Sequence, residues 1–294
     1  MGALLVVVNV AAGKARRPLT ARIREKVGAR GTVLETDSLE ALDAAVAAHA
    51  HAEDVVIWGG DGTITETVSA FARHAEVLPR FTLLPAGTMN ANARGLGFKG
   101  GPWPNLLRFL DGRLRTVERT LVEADGRAGF LFGIGLIPNY LAVYEEAERG
   151  GMRSAFRALG ISAMSLFSGV EEDKFFRGFE ARVTADGASF VNGRYTNLSA
   201  GGTEFLPMGF KHYHRAAEAP GRFHFVAHRL SARRAAKELW PIRSGRGMQD
   251  CEQALFERVR IELDAPEVYT FDGELYAPVQ SIELAGRLIR LTAP

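Results

Sequence analysis

A carboxylate set among three glycines, Gly59-Gly60-Asp61-Gly62-Thr63, directly follows the apolar run Asp54 to Trp58 and directly precedes a helical stretch. The carboxyl ends of strands in an α/β sheet are where ligands bind. Unpaired N–H groups at the start of the following helix, at the positive end of its dipole, suit phosphate. Glycines let the backbone come close to a ligand and adopt positive φ. In this setting Asp61 offers a carboxylate to Mg²⁺ or to an acceptor hydroxyl. Thr63 donates to a phosphate oxygen or caps the helix. A tight turn explains one or two such glycines but not three around a carboxylate, so phosphate chemistry is the better reading.

A second constellation, Leu84-Pro85-Ala86-Gly87-Thr88-Met89-Asn90, closes another apolar run in the same way. Gly87 and Thr88 open a turn, and the two-sided amide of Asn90 suits a ribose, base or phosphate. Pro-x-Gly-Thr is also ordinary turn chemistry. Two loops of this kind at the ends of neighbouring parallel strands would nevertheless share one crevice. The first apolar run delivers Asn9, with Gly13 and Lys14 soon after. A Walker A loop is excluded, since Ala15 stands where the Mg²⁺-binding Ser or Thr belongs and the earlier glycine is missing. The dinucleotide fingerprint G-x-G-x-x-G is also absent after this run.

These loops need strands and helices to hold them. Leu4 to Val8, Asp54 to Trp58 and Phe81 to Leu84 are short apolar runs suited to buried parallel strands, and a further strand falls around Thr32 to Glu35. Helical stretches follow Pro18, Ser38 (an N-cap for a helix to about His51) and Thr63 (to about Arg73). Alternation of this kind predicts a parallel sheet with helices on both faces. After about Arg115 the pattern changes to strand-like runs, many of them parted by Gly or Asp turns: Phe130 to Leu136, Phe179 to Thr184, Tyr195 to Ser199, Phe223 to Ala227, Val259 to Leu263, Val268 to Phe271 and Ile282 to Leu284. Ser154 to Phe167 and Ser231 to Leu239 read as helices. The expectation is an α/β domain over residues 1–115, with the tail 286–294 able to return to it, and a mainly β, sandwich-like domain over 116–285, the two flanking a cleft.

Composition narrows the function further. With 36 Lys and Arg against 34 Asp and Glu, the net charge of +2 argues against a nucleic-acid binder. Cys251 is the single cysteine, which excludes an internal disulfide and a cysteine zinc site. The apolar start, Ala3 to Val8, is too short for a secretory core, and nothing approaches the roughly 20 apolar residues of a membrane span. A cytoplasmic protein is expected, with at most peripheral membrane contact. The oligomeric state stays open, a homodimer being one option.

Taken together these motifs resemble the diacylglycerol kinase catalytic-domain family, which includes bacterial lipid kinases and sphingosine kinases. The resemblance rests on GGDGT at 59–63 with Glu66 after it, PAGTMNANARGLG at 85–97, and Asn9 with Gly13 and Lys14. The late run Phe271-Asp272-Gly273-Glu274 matches the family's Asp-Gly-Glu. It implies a nucleotide-binding α/β domain, a β-sandwich, and transfer of the ATP γ-phosphate to a lipid hydroxyl with Mg²⁺. Position by position it implies that Gly59, Gly60, Asp61, Gly62 and Thr63 bind phosphate and metal, with Asp61 the Mg²⁺ ligand. It also implies that Asn9, Gly13, Lys14, Glu66, Gly87, Thr88 and Asn90 line the nucleotide pocket, and that Asp272 is the general base with Glu274 beside it. By residue chemistry alone, Asp272-Gly273 is a turn between strands, and the sequence does not separate the roles of Asp61 and Asp272. Departures from the family are Ala91 and Asn92 in place of an Asp and an aromatic, Val10 in place of a Pro, and Ala219-Pro220-Gly221-Arg222 where some members carry an acidic structural Mg²⁺ segment.

The acceptor is open between a diacylglycerol-like or sphingoid lipid, a soluble molecule as in NAD kinases, and a catalytically weak binding protein. Leu131, Phe132, Ile134, Leu136 and Ile137, with Ile161, Met164, Leu166 and Phe167, offer either a lipid slot or a plain β core. Arg229, Arg233, Arg234 and Lys237 recur at helical spacing, as a solvated face or a headgroup-facing one.

Overall fold

In the computed structural model, which describes residues 3–10, 17–87, 90–149, 175–206 and 210–294, a single 14-stranded mixed sheet runs through both halves of the chain. The parallel half is β1 (Leu4–Asn9), β2 (Gly31–Thr36), β3 (Asp54–Gly59) and β4 (Arg80–Pro85), in the order β4-β3-β1-β2. Each of β1, β3 and β4 is buried along nearly its whole length, the signature of strands covered on both faces. The covering helices are α1 (Arg17–Val27), α2 (Leu39–Ala48), α3 (Asp61–His74), the short α4 (Ala91–Gly95) and α5 (Pro102–Leu110). Ser38 caps α2 as expected, its hydroxyl accepting the Ala41 N–H at 3.1 Å.

The second half is antiparallel. It comprises β5 (Arg115–Ala124), β6 (Arg127–Gly129), β7 (Leu131–Gly135), α6 (Leu136–Arg149), β8 (Phe179–Ala185), β9 (Ala188–Tyr195), β10 (Asn197–Gly201), β11 (Phe223–His228), α7 (Ala232–Arg243), β12 (Glu252–Phe256), β13 (Arg258–Phe271) and β14 (Glu274–Ala293). The two runs read separately as Val259 to Leu263 and Val268 to Phe271 are one strand, β13, broken by irregular register between Glu262 and Tyr269. Pro266 sits in that irregular stretch, where its missing N–H costs no ladder bond. Leu136 and Ile137 begin a helix rather than end a strand. The run ending at Ser199 is divided between β9 and β10. The region read as the helix Ser154 to Phe167 lies outside the described residues.

One strand joins the halves. β14 leaves a hairpin with β13, runs antiparallel to β5, and ends parallel to β4 through Arg290 and Leu291. Its side chains Ile289 and Leu291 share a core with Ile57, Phe71 and Phe81, as does Phe130. A separate core between the antiparallel strands holds Phe132, Ile134, Phe225 and Phe271. Phe132 and Ile134 are therefore core residues and not part of a slot. No helix among the described residues is long and apolar enough to cross a membrane.

Candidate active site

Two glycine loops and the end of β1 meet at the carboxyl ends of the parallel strands. From β1, the Asn9 side-chain amide donates to Thr63 Oγ1 at 2.9 Å, tying the first strand to the first turn of α3. The glycines of the β3–α3 loop are needed for packing, not for left-handed backbone. None of Gly59, Gly60, Gly62 or Gly87 has positive φ, and Gly60 is extended at φ −85°, which corrects the expectation from sequence. A Cβ on Gly59 would lie 2.4 Å from the Thr63 side chain, and one on Gly87 would lie 2.6 Å from Gly60 Cα. The two glycine loops thus touch backbone to backbone. Only at Gly62 does a side chain have room, the nearest atom being Glu274 Oε1 at 3.9 Å. Open space beside the first amides of α3 is what a phosphate cradle requires.

Asn90 spends its amide on its own loop. Its Oδ1 accepts the Gly87 N–H at 2.7 Å and its Nδ2 donates to the Gly87 carbonyl at 2.8 Å. With φ of 51° it turns the chain into α4, so it shapes the pocket wall instead of presenting a free amide. Half-buried Asp61, at the first position of α3, accepts the N–H of Ala91 at 3.2 Å and, more weakly, of Asn92 at 3.5 Å. Gly13, Lys14 and Thr88 lie outside the described residues.

Asp272 and Glu274 come to this cluster from the other half. Asp272 and Gly273 both have positive φ, 47° and 96°, the geometry of a two-residue hairpin turn that Asp-Gly favours. The turn is docked, not free. Asp272 Oδ2 accepts from Thr65 Oγ1 at 2.7 Å, Oδ1 accepts from the Leu131 N–H at 2.8 Å, and the Phe130 N–H lies 3.0 and 3.1 Å from the two oxygens. Burial raises the Asp272 carboxyl to about 6, against the lowering pull of those hydrogen bonds and with a further push from the Asp61 charge.

Thr65 and Phe130 were not among the residues singled out by sequence, and Leu131 was named only for a lipid slot or a β core. A signal for Thr65 existed: Asp61, Thr65, Ser69 and Arg73 recur every four residues and therefore share one face of α3. That face looks toward the antiparallel half. The Thr65 hydroxyl meets Asp272, the Ser69 hydroxyl accepts the Ala128 N–H at 3.0 Å, and Arg73 reaches the Gly126 carbonyl at 3.5 Å. Glu66 lies with Thr65 on a cleft of about 360 Å³ between α3, the β5–β6 turn and the β13–β14 hairpin, also lined by Arg127 and Tyr276. A larger depression, about 770 Å³, lies at the opposite, amino ends of β3 and β4 beside His51, Asp54 and Arg80. It contains none of the site residues.

Two other sequence features have structural explanations. Arg222 pairs with Glu257 at 2.9 Å and lies 3.8 Å from Asp186, placing a fixed cation in the segment where some family members are acidic. Cys251 is half-buried, and burial followed by nearby acids pushes its thiol up to about 12, as befits an inert thiol.

Comparison with known proteins places the architecture and the domain. The fold, a parallel α/β region continued by antiparallel strands, is that of a diacylglycerol kinase from Bacillus anthracis str. Sterne. That structure is 15% identical, with a TM-score of 0.65 and coverage of 100% of this chain and 97% of the other. Two further structures from the same strain, named as candidate diacylglycerol kinases, give TM-scores of 0.71 and 0.74 at 17% identity, with the same coverage. No curated protein matches the chain in sequence. Residues 3–122 match the model of the diacylglycerol kinase catalytic domain. Residues 3–122 are therefore similar to the catalytic domain of the family that the motifs resemble, and the loop cluster around Asp61 lies within that match.

Proposed function

We propose that the chain is a lipid kinase that transfers the γ-phosphoryl group of ATP to a hydroxyl of a diacylglycerol-like or sphingoid lipid, with Mg²⁺. The reading is carried by one observation: the Asp272 carboxylate is clamped by Thr65 onto the same helix whose first turn forms the glycine loop. The kinase-domain match over residues 3–122 and the diacylglycerol kinase names of the similar structures support a lipid as acceptor.

In this reading the triphosphate lies against the α3 amino end, in the space beside Gly62. The acceptor oxygen forms its bond to the γ-phosphorus, the bond to the β,γ-bridging oxygen breaks, and ADP leaves. Asp272 takes the acceptor's proton. A carboxylate with a pKa near 6 is mostly ionised at neutral pH yet basic enough to accept a proton as charge develops. Asp61 and Glu274 supply oxygen donors only, which fits a hard cation held by one or two carboxylates and substrate phosphates. Among the described residues no three His, Cys, Asp or Glu side chains converge as a ready metal cage, so a cation held by Asp61 and Glu274 would also need oxygens from the substrate phosphates. Mg²⁺ bound there would neutralise charge on the transferring phosphoryl group. The chain's own part is positional: Thr65 and two backbone amides hold the base, and the glycine loop holds the triphosphate.

The test is a radiolabelled-ATP assay on total lipid extract, with NAD in a parallel reaction and mass spectrometry of the products. A phosphorylated lipid is the expected product. Phosphorylated NAD without any lipid product, or no turnover on either, overturns the assignment.

A further inference from the structure

We infer that the outward face of α7 is a docking surface for an anionic lipid membrane, with Trp240 as its apolar anchor. The helix has two unlike sides. Inward, Ile242 is 6% exposed, and Glu238 is 9% exposed with its carboxylate accepting the Gln249 N–H at 2.7 Å. Outward, Arg233, Lys237 and Trp240 follow at i, i+4 and i+7, so they share one face. Trp240 is 71% exposed and Leu239 beside it 39%. The contrast with Trp58 is sharp: that ring is 4% exposed and packs edge-on against Trp103. Among the described residues, Trp240 has no ring or cation partner. Trp, with an apolar ring and one N–H, is favoured at the boundary between lipid and water.

Among the described residues the charge around this ring is positive and uncompensated. The helix carries Arg233, Arg234, Lys237 and Arg243 against the single, inward Glu238. Nearby acids are already engaged, Asp250 with Arg234 at 3.2 Å and Glu252 with Arg229 at 2.8 Å. Arg229 itself is turned onto Tyr195 and the Arg194 carbonyl and does not belong to the face. Arg233, Lys237 and Arg243 have no ion pair among the described residues. An exposed indole beside cations that have no ion pair among the described residues, on a chain of net charge +2, complements a surface that is both anionic and penetrable. Each cation near such a surface strengthens binding about fivefold.

The position also serves the reaction, a point that rests on the reading of a lipid acceptor. Beneath α7 an apolar cluster of Tyr213, Val226, Ile242 and Met248 extends to Leu131, whose N–H holds Asp272. One packed layer therefore links the docking face to the base.

The experiment is sedimentation of the full chain with vesicles of phosphatidylcholine, alone or with phosphatidylglycerol. Selective binding to the anionic vesicles is expected, weakened by salt, with Trp emission quenched by brominated lipid. Trp240→Ser should weaken binding about tenfold and remove the quenching. The pair Arg233→Glu and Lys237→Glu should weaken it at least 25-fold, the worth of two such charges. Because these side chains are exposed, the thermal midpoint should not move, and turnover on a short-chain water-soluble acceptor should stay at the wild-type level. No binding to anionic vesicles, binding unaffected by both variants, or tighter binding to single-stranded RNA than to vesicles overturns the proposal. Vesicle binding without a lipid product would instead overturn the lipid-kinase reading alone.

Discussion

Asp61 and Asp272 are two carboxylates from opposite halves of the molecule, and their surroundings differ in a way that bears on their roles. Asp61 opens a helix beside the glycine loops and, among the described residues, accepts only the longer bonds from Ala91 and Asn92. Asp272 has both oxygens engaged by a hydroxyl and two amides, yet its pKa is raised to about 6. Hydrogen bonds to a carboxylate normally lower its pKa, so burial is the stronger effect at Asp272. A carboxylate open to further ligands suits a cation. One held rigidly with raised basicity suits a proton.

The largest expected effect breaks this pair apart. Asp272→Asn should lower kcat by about 10²–10⁴-fold with nucleotide affinity nearly unchanged, the signature of lost acid–base catalysis. Asn preserves the local network: its carbonyl can accept from Phe130 and Leu131, and its amide can face Thr65 Oγ1, which also lies 3.2 Å from the Asp61 carbonyl. Asp61→Asn should also abolish turnover but weaken Mg²⁺-dependent nucleotide binding as well. Steady-state kinetics with calorimetric ATP titration separates the two. Normal kcat in Asp272→Asn, or an ATP-affinity loss there alone, would reverse or cancel the roles.

Acid stability sharpens the comparison from the other direction. His212 and His224 are held down to about 3 and His228 to about 4, burial being the main cause at each. Their folded pKa values lie below the unfolded value near 6.5, so unfolding takes up protons and stability falls as pH drops below about 6.5. Each is worth about 2 kcal/mol by pH 5. Asp272 has the opposite sign: its raised pKa means stability increases as pH falls through 6. Three histidines outweigh one aspartate, so the urea midpoint should fall between pH 7 and 5. The fall should be steeper in Asp272→Asn, which lacks the opposing group.

Smaller effects probe the glycine loops. Gly87→Ala puts a Cβ 2.6 Å from Gly60 Cα and should destabilise by about 1–3 kcal/mol as the loops part. Gly62→Ala meets nothing closer than 3.9 Å and should stabilise the helix by up to about 1 kcal/mol. If Gly62 opens onto the phosphates, that more stable protein should nonetheless bind ATP less tightly. Unchanged affinity would remove phosphate from this turn.

Smallest is Thr65→Val, which deletes a bond that lowers the Asp272 pKa. Its acid limb in the pH–kcat profile should move to higher pH, with KM for ATP unchanged. An unmoved limb would mean that Thr65 does not position the base.

Much of the parallel half was legible in the sequence because β1, β3 and β4 are buried along nearly their whole length and read as apolar runs. β14 was not: over 20 residues its exposure changes as it passes from hairpin to β5 to β4, so no single periodicity marks it and only Ile282 to Leu284 stood out. β5 and β12 escaped because partly exposed strands lack a continuous apolar run. The glycine motif was visible, but the reason for its glycines was not, since the clash between Gly60 and Gly87 involves loops 27 residues apart in sequence.

Local sequence determined what could be specified by neighbours along the chain: the loop after β3, the Ser38 cap, the Asp-Gly turn, and the carboxylates available for chemistry. Tertiary structure decided which of these meet. Thr65 and Asp272 are 207 residues apart, and no spacing rule joins them. They meet because β14 carries the hairpin back across β5 to β4, and burial at that junction, a property of the folded chain alone, raises the Asp272 pKa.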